Sequence, residues 1–249
     1  MTSDRRSTEP RSPRLIVIDG PAGAGKSTVA RRLAEHYRLP LLDTGAIYRT
    51  LALVALERGI AWTDDGGLGE LTEALPIRFH SDVDGEGRLS QRVYIGDREI
   101  TAAIRTPEIS EGSSRVSQHP SVRRGLLGIQ RTLAAGGCVA EGRDMGTVVF
   151  PEARHKFFLT ASLEARARRR HAELAQSAGE AALGEVRDEV ERRDRRDAAR
   201  AEAPLRRAED AVVLDSSDLE IEEVVRRIMA LIDAREAGGA PEDPAGAPA

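Results

Sequence analysis

Gly20, Gly25, Lys26 and Ser27 stand in the spacing Gly-x4-Gly-Lys-Ser, inside the run RLIVIDGPAGAGKSTVARRL from Arg14 to Leu33. Those residue types at that spacing can hold a polyphosphate. The turn Gly20-Pro21-Ala22-Gly23-Ala24-Gly25 is built of small residues, so successive backbone N–H groups can curl round a phosphate without Cβ clashes. A helix opening at Lys26, Ser27 and Thr28 turns its unpaired N–H groups and the positive end of its dipole to the same anion. Lys26 can reach the β and γ phosphates as a point charge, and Ser27 can ligate Mg²⁺. A plain tight turn between strand and helix is the alternative. The context separates the two: Leu15-Ile16-Val17-Ile18 reads as a buried strand, and Val29, Leu33 and Tyr37 recur on one side of the following helix. The chain holds 37 Lys and Arg residues, yet its only lysines are Lys26 and Lys156.

A phosphate loop points to a donor, ATP, and leaves the acceptor open. The chain has no asparagine, which excludes the guanine-reading Asn-Lys-x-Asp signature. Acceptor groups belong at the C-terminal ends of the strands, and three stretches carry suitable Arg or Asp. In DTGAIYR (43–49), Thr44 at a helix start and Arg49 over a turn later could form a second anion site; an N-cap and a solvated arginine would account for them equally. Arg143 beside Asp144 is either a site pair or a local ion pair at a turn. The run ERRDRRDAAR (191–200) could be a solvated helix face, with Glu191–Arg195 and Arg193–Asp197 at i,i+4 spacing. Arg196 and Arg200 do not help that reading, since like charges at i,i+4 repel. A mobile arginine-bearing lid would bring positive charge to a transferring phosphoryl group and exclude water.

The elements that must position these groups follow from pattern. Strands are expected at 39–43, 138–140, 155–160 and 211–215 besides the one before the phosphate loop, with helices at 46–58, 68–75, 107–118, 121–135 and 219–234. Asp43 or Thr44 should cap the helix that Gly59 ends. Segments 77–80, 91–95 and 98–100 alternate, and turns at 84–87 and 96–97 part them, which predicts an antiparallel meander interrupting the β–α–β rhythm. Five parallel strands with covering helices give a doubly wound α/β domain of the P-loop NTPase fold. The net charge of −4 gives no global pull toward nucleic acid. No apolar run approaches the ~20 residues of a membrane span, and the polar start lacks a signal-peptide core. One cysteine, Cys138, excludes an internal disulfide and a cysteine-based metal site. A cytoplasmic protein is expected.

With these pieces in order, the chain resembles the bacterial cytidylate kinases from about 14 to 232. The resemblance rests on IDGPAGAGKST (18–28), LLDTGAIYR (41–49), IRTPE (104–108), EGRDMGTVVFP (141–151), ERRDRRDAARAEAPL (191–205) and VVLDSSDL (212–219). It implies Mg²⁺-dependent transfer of the ATP γ-phosphate to CMP and dCMP, by a monomer with neither a nucleic-acid nor a membrane partner. Gly20 through Thr28 would bind ATP, with Ser27 toward the metal. Thr44, Arg49 and Arg143 would hold the acceptor phosphate; Ser114, Arg123 and Asp144 would meet the cytosine ring. Asp197 would take ribose hydroxyls, with Arg193 and Arg200 near it, and Arg105 would lie on the substrate side. Lys26, Arg143 and Arg193 would carry the charge neutralisation of catalysis. The implied division is a core at 13–75, 136–162 and 205–235, a CMP-binding insertion region at 76–135 and a lid at 163–204; composition, not the resemblance, marks 1–12 and 236–249 as disordered tails. Another small-molecule P-loop kinase, of adenylate or shikimate type, is disfavoured by the antiparallel insert and GRDMGT. A nucleotide-dependent RNA-binding regulator is disfavoured by the acidic balance and by the 3% aromatic content available for base stacking.

Overall fold

The structure is a computed structural model that describes residues 15–177 and 182–237. Its centre is β1 (Leu15–Asp19), whose Ile16, Val17 and Ile18 are wholly buried. Burial on both faces requires a sheet covered on both sides, which is what a parallel sheet with crossover helices provides. Around β1 run β2 (Leu41–Asp43), β6 (Cys138–Gly142), β7 (His155–Thr160) and β8 (Val212–Asp215), all parallel, in the order β2-β6-β1-β7-β8.

Alternation along β1 divides the interior into two cores. Ile16 and Ile18 join Val139, Phe157, Leu159 and Leu214 under α1 (Lys26–Tyr37) and α8 (Ile221–Glu236). Val17 faces the other way, with Leu42, Cys138 and Ala140. That side is closed by α2 (Thr44–Glu57), α3 (Asp65–Glu73), α4 (Pro107–Val116) and α5 (Pro120–Leu133). Cys138 is a free thiol, and burial pushes its pKa up to about 12.

The expected meander is a separate antiparallel sheet of β3 (Ile77–Val83), β4 (Leu89–Ile95) and β5 (Arg98–Glu99). Its longer strands run further than the alternation suggests, because pairing continues out to Val83 and Leu89 at the turn. Trp62 packs against α4 so closely that a Cβ on Gly112 would lie 2.5 Å from the indole ring. Its Nε1 donates to the Ala52 carbonyl at 3.0 Å.

Several boundaries differ from the sequence reading. The helix after β2 begins at Thr44, because Asp43 is the residue that caps it, accepting from Ala46 N at 2.9 Å. Gly59 takes a left-handed φ of 68° at the stop, as expected. The third helix starts at Asp65, capped by Asp64. The last helix runs through Glu236, one residue into the expected tail at 236–249; residues 238–249 and the expected tail at 1–12 lie outside the described residues. The expected lid comprises α6 (Leu163–Ser177) and α7 (Leu183–Ala198), and residues 178–181 between them lie outside the description. No helix among the described residues is long and apolar enough to cross a membrane.

One buried group ties the sheet to the loops above it. The Asp19 carboxylate accepts from Met145 N and Gly146 N, both at 2.8 Å, and so fixes the π-helical turn Met145–Val149 to the end of β1. Burial raises its pKa from 3.8 to about 6, although the two N–H groups pull the other way. A carboxyl whose pKa is higher folded than unfolded favours folding at low pH, and loses that contribution as pH rises through the folded value. The unfolding free energy of the wild type, minus that of Asp19→Asn, should therefore fall between pH 4 and pH 6 and stay flat above. Urea unfolding at a series of pH values measures it.

Candidate active site

The phosphate loop takes its shape from positions that admit no side chain. Gly20 has φ 149°, and a Cβ there would lie 1.9 Å from the Leu159 carbonyl oxygen of β7. Gly25, at φ 88°, is the residue before α1. The Lys26 ammonium bends back and donates to the Pro21 carbonyl at 2.7 Å. Burial, and then the neighbouring Arg143, bring its pKa down to about 7, against the pull of Glu141.

Ahead of the loop opens a cleft of ≈ 840 Å³. Ala22, Gly23 and the run Gly25 to Thr28 line it; Gly20, Pro21 and Ala24 do not. Ser27 is exposed and lines this cleft together with Glu141, whose carboxyl is raised by burial and by Asp43. Hard oxygen donors thus sit beside the lysine, the donor chemistry that Mg²⁺ takes alongside phosphate oxygens. The described residues contain no cluster of three or more His, Cys, Asp or Glu that could hold a metal unaided.

A second cleft of ≈ 400 Å³ adjoins the first, and Gly45, Gly142, Arg143 and Arg193 line both. Thr44 lines the second cleft; its hydroxyl is buried and donates to the Glu141 carbonyl at 2.6 Å. Arg49 does not line it. It pairs with Asp43 at 2.7 Å and faces the first cleft. Arg105 lines neither and acts on Asp43 only through its charge.

Deeper in the second cleft, Arg123 pairs with Asp144, donates to the Ser117 carbonyl at 3.3 Å and lies 5.6 Å above the Tyr48 ring. Ser113 and Ser117, four residues apart, line this cleft. Ser114, a third of a turn round, is buried outside the lining and its Oγ has no partner.

Asp197, on the last turn of α7, is 1% exposed. Both its oxygens are held by arginine: Arg143 at 2.9 Å on one and Arg200 on the other, while Arg200 also donates to Ser117 Oγ at 3.0 Å. Burial would raise this carboxyl, but Arg143, Arg200 and Arg193 together hold it below the ordinary range. Of the two helix pairs the spacing allows, Glu191–Arg195 forms at 2.8 Å. Arg193–Asp197 does not, because one Asp197 oxygen is taken by Arg143, from the segment after β6, and the other by Arg200, three residues further on. Arg193 has no carboxylate at ion-pair distance among the described residues, and its Nε is buried without a partner. Burial and then Arg143 lower its pKa to about 10.

Glu141, Asp43, Tyr48, Ser113 and Ser117 are site residues to which the sequence reading gave no role in the chemistry. Asp43 and Glu141 could have been found, since each stands at or near the C-terminal end of a parallel strand. The arrangement has the parts for phosphoryl transfer: a polyphosphate cradle, a second pocket, and guanidinium groups on the wall between.

A family model described as cytidylate kinase matches residues 16–234. The cytidylate kinase of Exiguobacterium sibiricum is 47% identical over 219 residues, covering 88% of this chain and 96% of its own. That of Carboxydothermus hydrogenoformans is 47% identical over 218 residues, covering 87% and 96%. That of Azotobacter vinelandii is 45% identical over 228 residues, covering 91% and 98%.

The depressed Lys26 gives a signed pH effect. With a pKa near 7 the ligand-free group would be largely neutral by pH 8, and a bound triphosphate should restore its proton. Triphosphate binding at pH 8 should take up close to one proton, and the affinity should weaken as pH rises from 7. Calorimetry in buffers of different ionisation enthalpy reads the uptake, and Lys26→Met should abolish it.

Proposed function

The chain belongs to the cytidylate kinase family, and from that premise we propose that it transfers the ATP γ-phosphoryl group to CMP and dCMP, giving ADP and the diphosphate. One observation carries the assignment of roles: two clefts meet at a wall bearing Arg143 and Arg193, with the phosphate loop on one side and the Arg123–Asp144 pair on the other.

ATP lies in the first cleft. Its phosphates draw the Lys26 ammonium away from the Pro21 carbonyl and take up the loop N–H groups. Ser27, with Glu141 behind it, would hold Mg²⁺, which supplies Lewis-acid neutralisation of the phosphate oxygens when bound. The acceptor lies in the second cleft. Asp144 offers its remaining oxygen to the cytosine amino group, with Arg123, Ser113 and Ser117 around the ring and Ser114, the residue expected there, turned away from it. Uracil presents a carbonyl at that position and meets repulsion.

The acceptor phosphate oxygen is already anionic near neutral pH, so no strong general base is needed. What the chain supplies is alignment and positive charge. Arg143 and Arg193 border both clefts and neutralise the phosphoryl group as it passes. Arg49, held by Asp43, adds charge from the donor side. Asp197 keeps Arg143 and Arg200 in place, and its lone pairs can also accept from ribose hydroxyls. A cytoplasmic monomer without nucleic-acid or membrane partners completes the reading, on the strength of the resemblance.

ADP release from ATP and Mg²⁺ should be strong with CMP and dCMP, much weaker with UMP, and absent with AMP or shikimate. Turnover with AMP or shikimate alone would sink this reading. Asp144→Ala should lower kcat/KM for CMP by about a hundredfold or more and compress the CMP-to-UMP ratio toward unity.

A further inference from the structure

Arg193 borders both clefts with no carboxylate among the described residues to orient it, so its position must come from how its helix is held. α7 is fastened at two points next to it. Just beyond Arg193, Asp194 pairs with the buried Arg166 and accepts from Ala22 N of the phosphate loop at 3.4 Å, while Arg166 donates to the Ala22 carbonyl at 3.1 Å. One turn along, Arg196 grips Glu111 of α4 with two parallel hydrogen bonds, Nη1 to Oε1 and Nη2 to Oε2, both 2.7 Å. Arg193, Arg196 and Asp197 follow the i, i+3, i+4 spacing of one helix face, and Arg200 stands just past the helix end. Arg196 is thus the edge residue of the face that lines the acceptor cleft.

We propose that Glu111 and Arg196 are a positioning pair, whose ion pair holds α7 across the acceptor cleft and thereby sets where Arg193 meets the transferring phosphate. The inference rests on the transfer reaction proposed above and adds two residues that touch neither substrate.

Most exposed ion pairs contribute little, since solvent screens them and two long side chains must be ordered. This pair departs from that pattern in three respects. The guanidinium and carboxylate meet fork to fork, the geometry in which such pairs are strongest. Both side chains are about two-thirds covered, at 25% and 35% exposed. Arg115 also approaches Glu111, at 3.1 Å, so the carboxylate is braced from its own helix. Hydrogen bonding from Arg196, with Arg115 assisting, holds Glu111 down at about 2, so the pair stays ionised at any pH near neutrality. A rigid link at Arg196 fixes the helix one turn from Arg193, where a displacement near 1 Å would lower the rate steeply.

The test is a double-mutant cycle in the full chain, read by kcat and KM for CMP and by hydrogen exchange of the α7 amides. Glu111→Gln and Arg196→Ala should each lower kcat about tenfold, with the donor KM unchanged, and the double variant should be no worse than either single. Arg196→Lys, which keeps the charge but not the fork, should recover part of the loss. In each impaired variant the α7 amides should exchange several-fold faster while those of β1 and β6 keep the wild-type rate. Additive losses, or α7 exchange equal to wild type, would overturn the proposal. A wild type inert toward CMP would overturn the proposed function instead, and the exchange data would still decide whether Glu111 and Arg196 fix α7.

Discussion

Guanidinium groups gathered in one cleft repel one another, and that repulsion governs how this site is built. Arg49, Arg123, Arg143, Arg193 and Arg200 all line the two joined clefts. Four of them are held by three carboxylates: Asp43 for Arg49, Asp144 for Arg123, and Asp197 for both Arg143 and Arg200. The carboxylates come from the end of β2, the segment after β6, and α7, so the charge balance exists only when the sheet and α7 are assembled. Arg193 stands outside the pairing. A dianionic or more highly charged ligand is the partner that would complete the balance, which is why a cleft so rich in arginine can be preformed without being self-neutralised.

The sheet makes this assembly possible. β1 and β6 are adjacent and parallel, so their C-terminal ends put the phosphate loop beside the Gly142–Thr147 segment. Asp19 then locks the two together through backbone N–H groups. Gly142 allows close approach where a Cβ would lie 2.8 Å from the Thr44 hydroxyl, and the hydroxyl itself bonds the Glu141 carbonyl. The starts of α1 and α2 and the end of β6 therefore converge on one point by packing constraints, not by loop flexibility.

What the sequence made legible was local or strongly patterned. The phosphate loop, the five buried strands and the alternating insert each announce themselves within a dozen residues. What it did not make legible depends on distance along the chain. Whether Asp43 or Thr44 caps α2 was open, and the structure chooses Asp43 because the Thr44 hydroxyl is drawn to Glu141, 97 positions away. Arg49 faces the donor side because Asp43 turns it there. Asp197 satisfies helical spacing with Arg193, yet Arg143, 54 positions away, takes one of its oxygens and the nearby Arg200 the other. The serines facing the acceptor cleft are set by the rotation of α4, which a single sequence fixes only to within a residue. The Glu111–Arg196 contact spans 85 positions between two charged surfaces, and nothing in either segment names the other.

Trp62 is the chain's single tryptophan, and its surroundings give it an optical meaning. Its indole is anchored to α2 through the Ala52 carbonyl, lies against α4 at Gly112, and borders the same groove as Glu111 and Arg196. The ring therefore sits at the seam between α2 and α4, beside the groove that Glu111 and Arg196 border. Its emission comes from that seam alone, undiluted by any second indole, so the protein carries a built-in optical reporter next to the contact between α4 and α7.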